Sequence, residues 1–382
     1  MTHAEALAKA LAKALEEVGD RADMGLYLAV SGGGTSLISA LCAVPGISRV
    51  FRGATVPSAA DQLEIFLGFQ PERACAPETA LELAEQAYLR AASGTARAAG
   101  ALGGSGLTVG IGLTAVIATR EEHRGDHRVF CASFTTAGSS LYAVTLTKGV
   151  GVTKRAEDER VCADLGLNAL LAALGYAPLP VPFVAVSSDT GALARELLLR
   201  RPMFQADGRR QRGLPDTAVV LFPGTFDPPH PGHFGMADTL ERVTGHRPVF
   251  CLTLDPPHKA PIGSVDILQR VKLLRGRDVF FAAGDKLYLD KARRHPGRSF
   301  LMGSDALVRM LDPKWCPVQP MLESFQQLGT HFYVVGRDVE VGDQWIDAIG
   351  IPAAFRSLFS VLPGRYDVSS SALRQAAGLA GR

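Results

Sequence analysis

The stretch Ala-Val-Val-Leu-Phe-Pro-Gly-Thr-Phe-Asp-Pro-Pro-His-Pro-Gly-His-Phe, residues 218–234, constrains the fold more than any other part of the chain. Its apolar start, Val219, Val220, Leu221 and Phe222, reads as a buried strand; Pro223-Gly224 breaks it, and a helical pattern begins near Gly232. Two histidines, His230 and His233, therefore stand in a tight loop between a strand end and a helix start. Such a start offers unpaired backbone N–H groups and the positive end of a dipole, and imidazole changes charge cheaply near neutral pH. The loop suits a phosphate. Two histidines in a Pro/Gly-rich turn, taken alone, also fit an exposed turn or a stray metal ligand.

The residues downstream continue the alternation. Strands are expected at 218–222, 248–254, 278–282, 298–303, 331–335 and 356–361, with helices at 232–244, 265–275, 285–294, 304–311 and 369–379. This order predicts an α/β, doubly wound, mainly parallel sheet with ligands at the C-terminal strand ends. Pro256-Pro-His-Lys259 follows the second strand, where the lysine would supply a point charge for phosphate, and Arg270 lies on the next helix. After the fourth strand come Gly303 and Asp305, a carboxylate that either accepts ribose hydroxyls or caps the helix. Trp315 either covers a flat ring or anchors the core. Ser369 and Ser370 open the last helix and Arg374 lies in its following turn, so hydroxyls, N–H groups and charge converge there.

Gly224-Thr-Phe-Asp-Pro-Pro-His-Pro-Gly-His233 resembles the GxFDPxHxGH signature of the HxGH nucleotidyltransferases, especially the nicotinate/nicotinamide mononucleotide adenylyltransferases. The 256–270 stretch resembles that family's PPHK…R, Phe300-Leu-Met-Gly-Ser-Asp305 its (I/V)GaD segment, and Val368-Ser-Ser-Ser-Ala-Leu-Arg374 its ISSTxIR motif; Trp315 lies near its ring-stacking Trp. The resemblance implies a Rossmann-like nucleotidyltransferase domain over 217–382. It would join a nucleoside triphosphate, first of all ATP, to nicotinamide or nicotinate mononucleotide and release pyrophosphate, in NAD biosynthesis or salvage. Catalytic roles would fall to His230, His233 and Lys259. Nucleotide binding would fall to Gly224, Thr225, Phe226, Asp227, Gly232, Arg270, Gly303, Asp305, Trp315, Ser369, Ser370 and Arg374. Mg²⁺ would accompany the triphosphate, with no metal held by the protein alone. The alternatives are a cytidylyltransferase with a different phosphorylated acceptor, a triphosphate hydrolase, and a nucleotide-binding protein without catalysis.

In the first half, Met24 to Val30 reads as a buried strand and Ser31-Gly-Gly-Gly-Thr-Ser36 as a loop feeding a helix that ends near Cys42. A serine in such a turn is a nucleophile, part of an anion loop, or a connector. Ala29-Val-Ser31-Gly-Gly-Gly, Val44-Pro-Gly-Ile-Ser-Arg-Val-Phe-Arg-Gly53 and Leu67-Gly68 resemble the CinA C-terminal domain, the nicotinamide mononucleotide deamidase family. Ser31 falls on that family's serine, but the ESCTGG loop's Glu becomes Val30 and its Cys-Thr become Gly32-Gly33. The family's Tyr falls on Pro57 and its Lys on Gln62, neither of which can activate a hydroxyl or take its proton. The TGIAGP stretch is replaced by Val109-Gly-Ile-Gly-Leu-Thr-Ala-Val-Ile-Ala-Thr119. The expectation is a CinA-like α/β domain over 1–176 with lost or altered deamidase chemistry and Ser31 as a vestigial site. His127, in Arg-Gly-Asp-His-Arg, reads as a polar residue at the start of strand 129–134 in preference to a catalyst, and a helix over 154–174 closes the domain.

Between the halves, Pro178, Pro180 and Pro182, a short helix at 190–201, and Asp207-Gly-Arg-Arg-Gln-Arg212 read as a linker over 177–216. Two domains of ordinary size fit the 382 residues, and a net charge of +2 gives no bias towards nucleic acid. The first twenty residues have amphipathic helical spacing without a signal peptide's apolar core, and apolar runs end well before the roughly 18 residues of a membrane span. The six scattered cysteines form no CxxC pair. A cytoplasmic protein is expected, with nucleotide partners, no membrane or nucleic acid, and a candidate homo-oligomer contact through the CinA-like domain.

Overall fold

The computed structural model describes residues 12–13, 24–91, 107–122, 124–181, 186–257, 259–337 and 342–376. The expected opening helix, apart from two residues, and His258 lie outside them. The chain divides into two compact units, 1–200 with 263–272, and 201–262 with 273–382.

The first unit runs β1 (Gly25–Ser31), α1 (Ser36–Cys42), β2 (Phe51–Thr55), α2 (Ala60–Leu67), α3 (Pro77–Ala91), β3 (Thr108–Val116), β4 (Arg128–Thr135), β5 (Ser139–Thr145), α4 (Gly151–Ala173), β6 (Val186–Asp189) and α5 (Gly191–Arg200). Its sheet has the order β2-β1-β3-β4-β5-β6. β2, β1 and β3 pair in parallel, and β3 to β6 antiparallel. The glycines of 109–119 serve packing here: a Cβ on Gly110 would overlap the α3 backbone at Ala84 and Tyr88, and one on Gly112 that at Ala80 and Ala84. α3 itself buries Thr79, Glu82, Glu85 and Gln86 beside its apolar residues.

The second unit begins with β7 (Met203–Phe204) and β8 (Arg210–Gln211), so the expected linker supplies the last strand and helix of one unit and two strands of the other. There follow β9 (Val219–Gly224), α6 (Pro231–Thr244), β10 (Arg247–Thr253), α7 (Ser264–Leu273), β11 (Asp278–Ala282), α8 (Tyr288–Arg294), β12 (Ser299–Gly303), α9 (Ser304–Met310), α10 (Val318–Gln327), β13 (Phe332–Gly336), α11 (Asp343–Ala348), β14 (Phe359–Arg365) and α12 (Ser370–Ala376). Residues 263–272, nearly all of α7, group with the first unit.

The second sheet has the order β14-β13-β12-β9-β10-β11-β7-β8, parallel from β14 to β11, with β7 and β8 antiparallel at one edge. Phe300, Phe332 and Phe359 stand in register on β12, β13 and β14 with centroids 5.7 and 5.2 Å apart, a stacked row that fixes strand alignment on one side of β9. Two expected elements start late for visible reasons. Asp290 accepts the Leu287 N–H at 2.9 Å and sets the start of α8, and a 3-10 turn over Ala353–Leu358 delays β14. α10 and α11 have no counterpart in the sequence expectations. The strand order reverses between β9 and β12, which is where an open parallel sheet leaves its ligand crevice.

Candidate active site

The loop leaving β9 is shaped by aromatic packing. Phe226 takes a positive φ of 44°, uncommon without glycine, and buries its ring against Phe222, Phe250 and His233. Gly224 makes room for it, since a Cβ there would lie 2.9 Å from the ring. His230 is the N-cap of α6, Pro231 its first residue and His233 its third. The His230 N–H donates to His233 Nδ1 at 3.2 Å, which leaves the His233 proton on Nε2 when the ring is neutral.

The two imidazoles stack with centroids 3.6 Å apart. His230 is 2% exposed, and both of its ring nitrogens are buried without a hydrogen-bond partner. Burial, then the nearby Arg337 guanidinium, pushes its pKa down to about 4; burial, His230 and Arg337 push His233 down to about 3. Both rings are therefore neutral at physiological pH. Each has one N–H to give, and anion binding would favour a second.

The other expected residues divide into three groups. Some face the loop. Lys259 Nζ, nearly half exposed, lies 3.8 Å from Asp227 Oδ2, and Arg374 lies 3.4 Å from the same oxygen and donates to the Asp227 carbonyl. Ser370 Oγ donates to the Pro228 carbonyl at 2.9 Å, while Ser369 Oγ accepts the Ala372 N–H at 3.1 Å as a helix cap. Ser370 and Arg374 thus hold the histidine loop through its backbone, a task the motif did not disclose. Thr225 and Gly232 lie within the loop and its helix start, Thr225 half-buried.

The second group is at the end of β12. Gly303 leaves space for the Asp305 carboxylate, whose Oδ1 would lie 2.6 Å from a Cβ there. Asp305 Oδ2 pairs with Arg309 at 2.8 Å and lies 3.7 Å from Arg337, whereas Oδ1 is buried without a hydrogen-bond partner. Sequence reasoning missed Arg337. It follows β13, exchanges hydrogen bonds of 2.8 and 2.9 Å with Ser304 Oγ through its backbone, donates from its side chain to the Val368 carbonyl at 2.6 Å, and acts on both histidines. A lone arginine after a strand carries no motif, and only its strand-end position could have marked it.

Arg270 and Trp315 form the third group. Arg270 belongs to the residues of α7 that group with the first unit. Trp315 sits in the turn after α9, half-buried, with Lys314 Nζ 5.3 Å from its ring centroid.

Among the described residues no three His, Cys, Asp or Glu side chains are grouped to hold a metal. Asp227, the carboxylate of the loop, is matched by two cations, Lys259 and Arg374.

In the first unit, Ser31 Oγ donates to the Pro57 carbonyl at 3.0 Å, and Gln62 is exposed and donates to Asp61. The glycine-rich turn is filled from within. Glu159 accepts from Gly34 N, Thr35 Oγ1 and Ser36 N at 2.6, 2.7 and 3.0 Å. Burial alone would raise this carboxyl; the bonds from Thr35, Gly34 and Ser36 outweigh it and hold its pKa low. His127 is buried, with Nδ1 3.4 Å from Asp158 Oδ2, which also accepts the Ala118 N–H, while Asp158 Oδ1 pairs with Lys154, a structural tie at the start of β4.

Residues 221–376 match the family described as cytidylyltransferase-like. No curated protein matches the chain. Similar solved structures include a competence or damage-inducible protein from Enterobacter asburiae, at 21% identity over 46% of this chain and 99% of that one, TM-score 0.28. Others are a competence-damaged protein (CinA) superfamily protein from Escherichia coli, at 18% over 44% and 88%, TM-score 0.27, and the competence/damage inducible protein CihA from Agrobacterium tumefaciens, at 17% over 45% and 96%, TM-score 0.27. No helix among the described residues is long and apolar enough to cross a membrane. From Leu221 to Ala376 the chain carries a cytidylyltransferase-like domain, a family that supports nucleotidyltransferase activity on nucleotide substrates.

Proposed function

We propose that the second domain joins a nucleoside triphosphate, with ATP as first choice, to nicotinamide or nicotinate mononucleotide and releases pyrophosphate. The observation that carries this reading is His230, a buried imidazole with two unpartnered nitrogens at a helix start beside the switch point of a parallel sheet. In-line attack of a mononucleotide phosphate oxygen on the α-phosphorus forms one P–O bond and breaks the bond to the departing pyrophosphate. Such a reaction needs alignment and neutralisation of charge more than covalent help. His230 and His233 donate to phosphate oxygens, and Lys259 leaves Asp227 to add a positive charge. Asp305 Oδ1 accepts a ribose hydroxyl, and Arg374 with Ser370 keeps the loop in place. Mg²⁺, bound to the triphosphate, supplies further neutralisation.

The first domain is, on this reading, a structural or dimerising module without deamidase activity, because Ser31 has a carbonyl as partner where a base is needed. The six free cysteines fit a reducing, cytoplasmic setting. The test is product analysis of purified full-length protein with a panel of triphosphates and acceptors, alongside ammonia release from nicotinamide mononucleotide. A dinucleotide formed from ATP supports the proposal. A product from CTP and another phosphorylated acceptor makes the protein a cytidylyltransferase, and pyrophosphate or phosphate release without acceptor makes it a hydrolase.

A further inference from the structure

We propose that Tyr366 is a positioning residue that fixes α6, and with it the two histidines at its start, against the strand end carrying Arg337. Its kinetic consequence rests on the nucleotidyl-transfer reading; its structural consequence does not. Tyr366 follows β14, and its backbone N–H donates to the Gly336 carbonyl at 2.9 Å, one residue before Arg337. Its side chain then runs along a single stripe of α6 formed by Gly232, Gly235 and Thr239, spaced by three and four residues. Tyr366 Cβ lies 3.6 Å from the place a Cβ on Gly232 would take, and a Cβ on Gly235 would overlap the ring. At the far end the phenol shares a 2.8 Å hydrogen bond with Thr239 Oγ1, a buried hydroxyl that also receives Arg242 at 3.3 Å.

One residue thus grips two turns of α6 with its side chain and the end of β13 with its backbone. A slide or roll of α6 would break the phenol bond or drive the ring into the helix. Gly235 is explained by this contact, since any larger residue there would push the ring away, while a Cβ on Gly232 would crowd the His230 ring at 3.1 Å. The histidines and Arg337 are the groups whose separation this strut sets, and active-site displacements near 1 Å cost on the order of a hundredfold in rate.

The test uses full-length protein and the variants Tyr366→Leu, Tyr366→Phe and Gly235→Ala, with the melting temperature of each recorded. Without nucleotide, NMR titration of the histidine rings reads their surroundings directly. In the unsubstituted protein the His230 ring stays neutral down to about pH 5, and in Tyr366→Leu and Gly235→Ala it titrates nearer the ordinary histidine range, about 6.5. With MgATP and nicotinamide mononucleotide, both variants lose roughly tenfold or more in kcat with little change in KM, and Tyr366→Phe, which keeps the ring, recovers most of the loss. A folded Tyr366→Leu that keeps both histidine titration and kcat would overturn the proposal. Should that variant not fold, Gly235→Ala, which displaces the ring from the helix side, carries the test. A His230 titration shifted towards the ordinary range in it supports the strut, and an unchanged titration with unchanged kcat contradicts it. If the unsubstituted protein turns over no triphosphate, the nucleotidyl-transfer reading fails while the titration still decides on Tyr366.

Discussion

At the scale of the residue, the site is defined by two imidazoles kept neutral by burial and by Arg337. The unfolded chain holds both histidines near the ordinary pKa of about 6.5, and the folded domain holds His230 near about 4 and His233 near about 3. Below pH 6.5 the unfolded state therefore binds more protons, so stability should fall as pH is lowered from about 6.5 towards 4 and stay level above it. Urea midpoints at pH 7.5 and 5 check this, and a smaller difference between them after His230→Ala would tie part of it to that ring, with His233 carrying the remainder. A bound triphosphate favours the charged imidazole, so binding should take up a proton and tighten as pH falls from 7 to 5.5. Titration calorimetry in buffers of different ionisation heat reads that uptake directly. The histidines were legible in the sequence because their signature is local. Ser370 and Arg374 were legible only in part and Arg337 not at all, because their partners are the Pro228, Asp227 and Val368 carbonyls, and backbone carbonyls leave no trace in a sequence.

At the scale of the element, α12 acts as a clasp on the loop between β9 and α6. Ser370→Ala removes the bond to the Pro228 carbonyl and should cost about 1 kcal/mol in urea unfolding, with a larger proportional loss of turnover. In the first unit, Gly110→Ala forces β3 away from the α3 backbone and should destabilise that unit by about 1–3 kcal/mol, seen as a lowered unfolding transition. The strand and helix alternation of the second half could be read because parallel strands are continuous apolar runs between amphipathic helices. α3 keeps apolar residues at helical spacing, and what the sequence could not show is that its Thr79, Glu82, Glu85 and Gln86 are buried as well. Gly110 and Gly112 are close-packing positions against α3, a role that needs the neighbouring helix in view.

At the scale of the whole molecule, the two units divide the labour unequally. The first keeps a glycine-rich turn but satisfies it with Glu159 and turns Ser31 towards a carbonyl. Ser31→Ala should therefore leave pyrophosphate release unchanged, and an assay of the variant beside the unsubstituted protein checks it. The second unit places His230, Lys259, Asp305 and Arg337 at the ends of four neighbouring strands of one sheet. The most direct test of that arrangement is pyrophosphate release by full-length protein with and without His230→Ala, at saturating MgATP and mononucleotide. Loss of a phosphate donor at this position should lower kcat by about a hundredfold or more. Unchanged turnover in the variant would contradict the assignment of the chemistry to this loop.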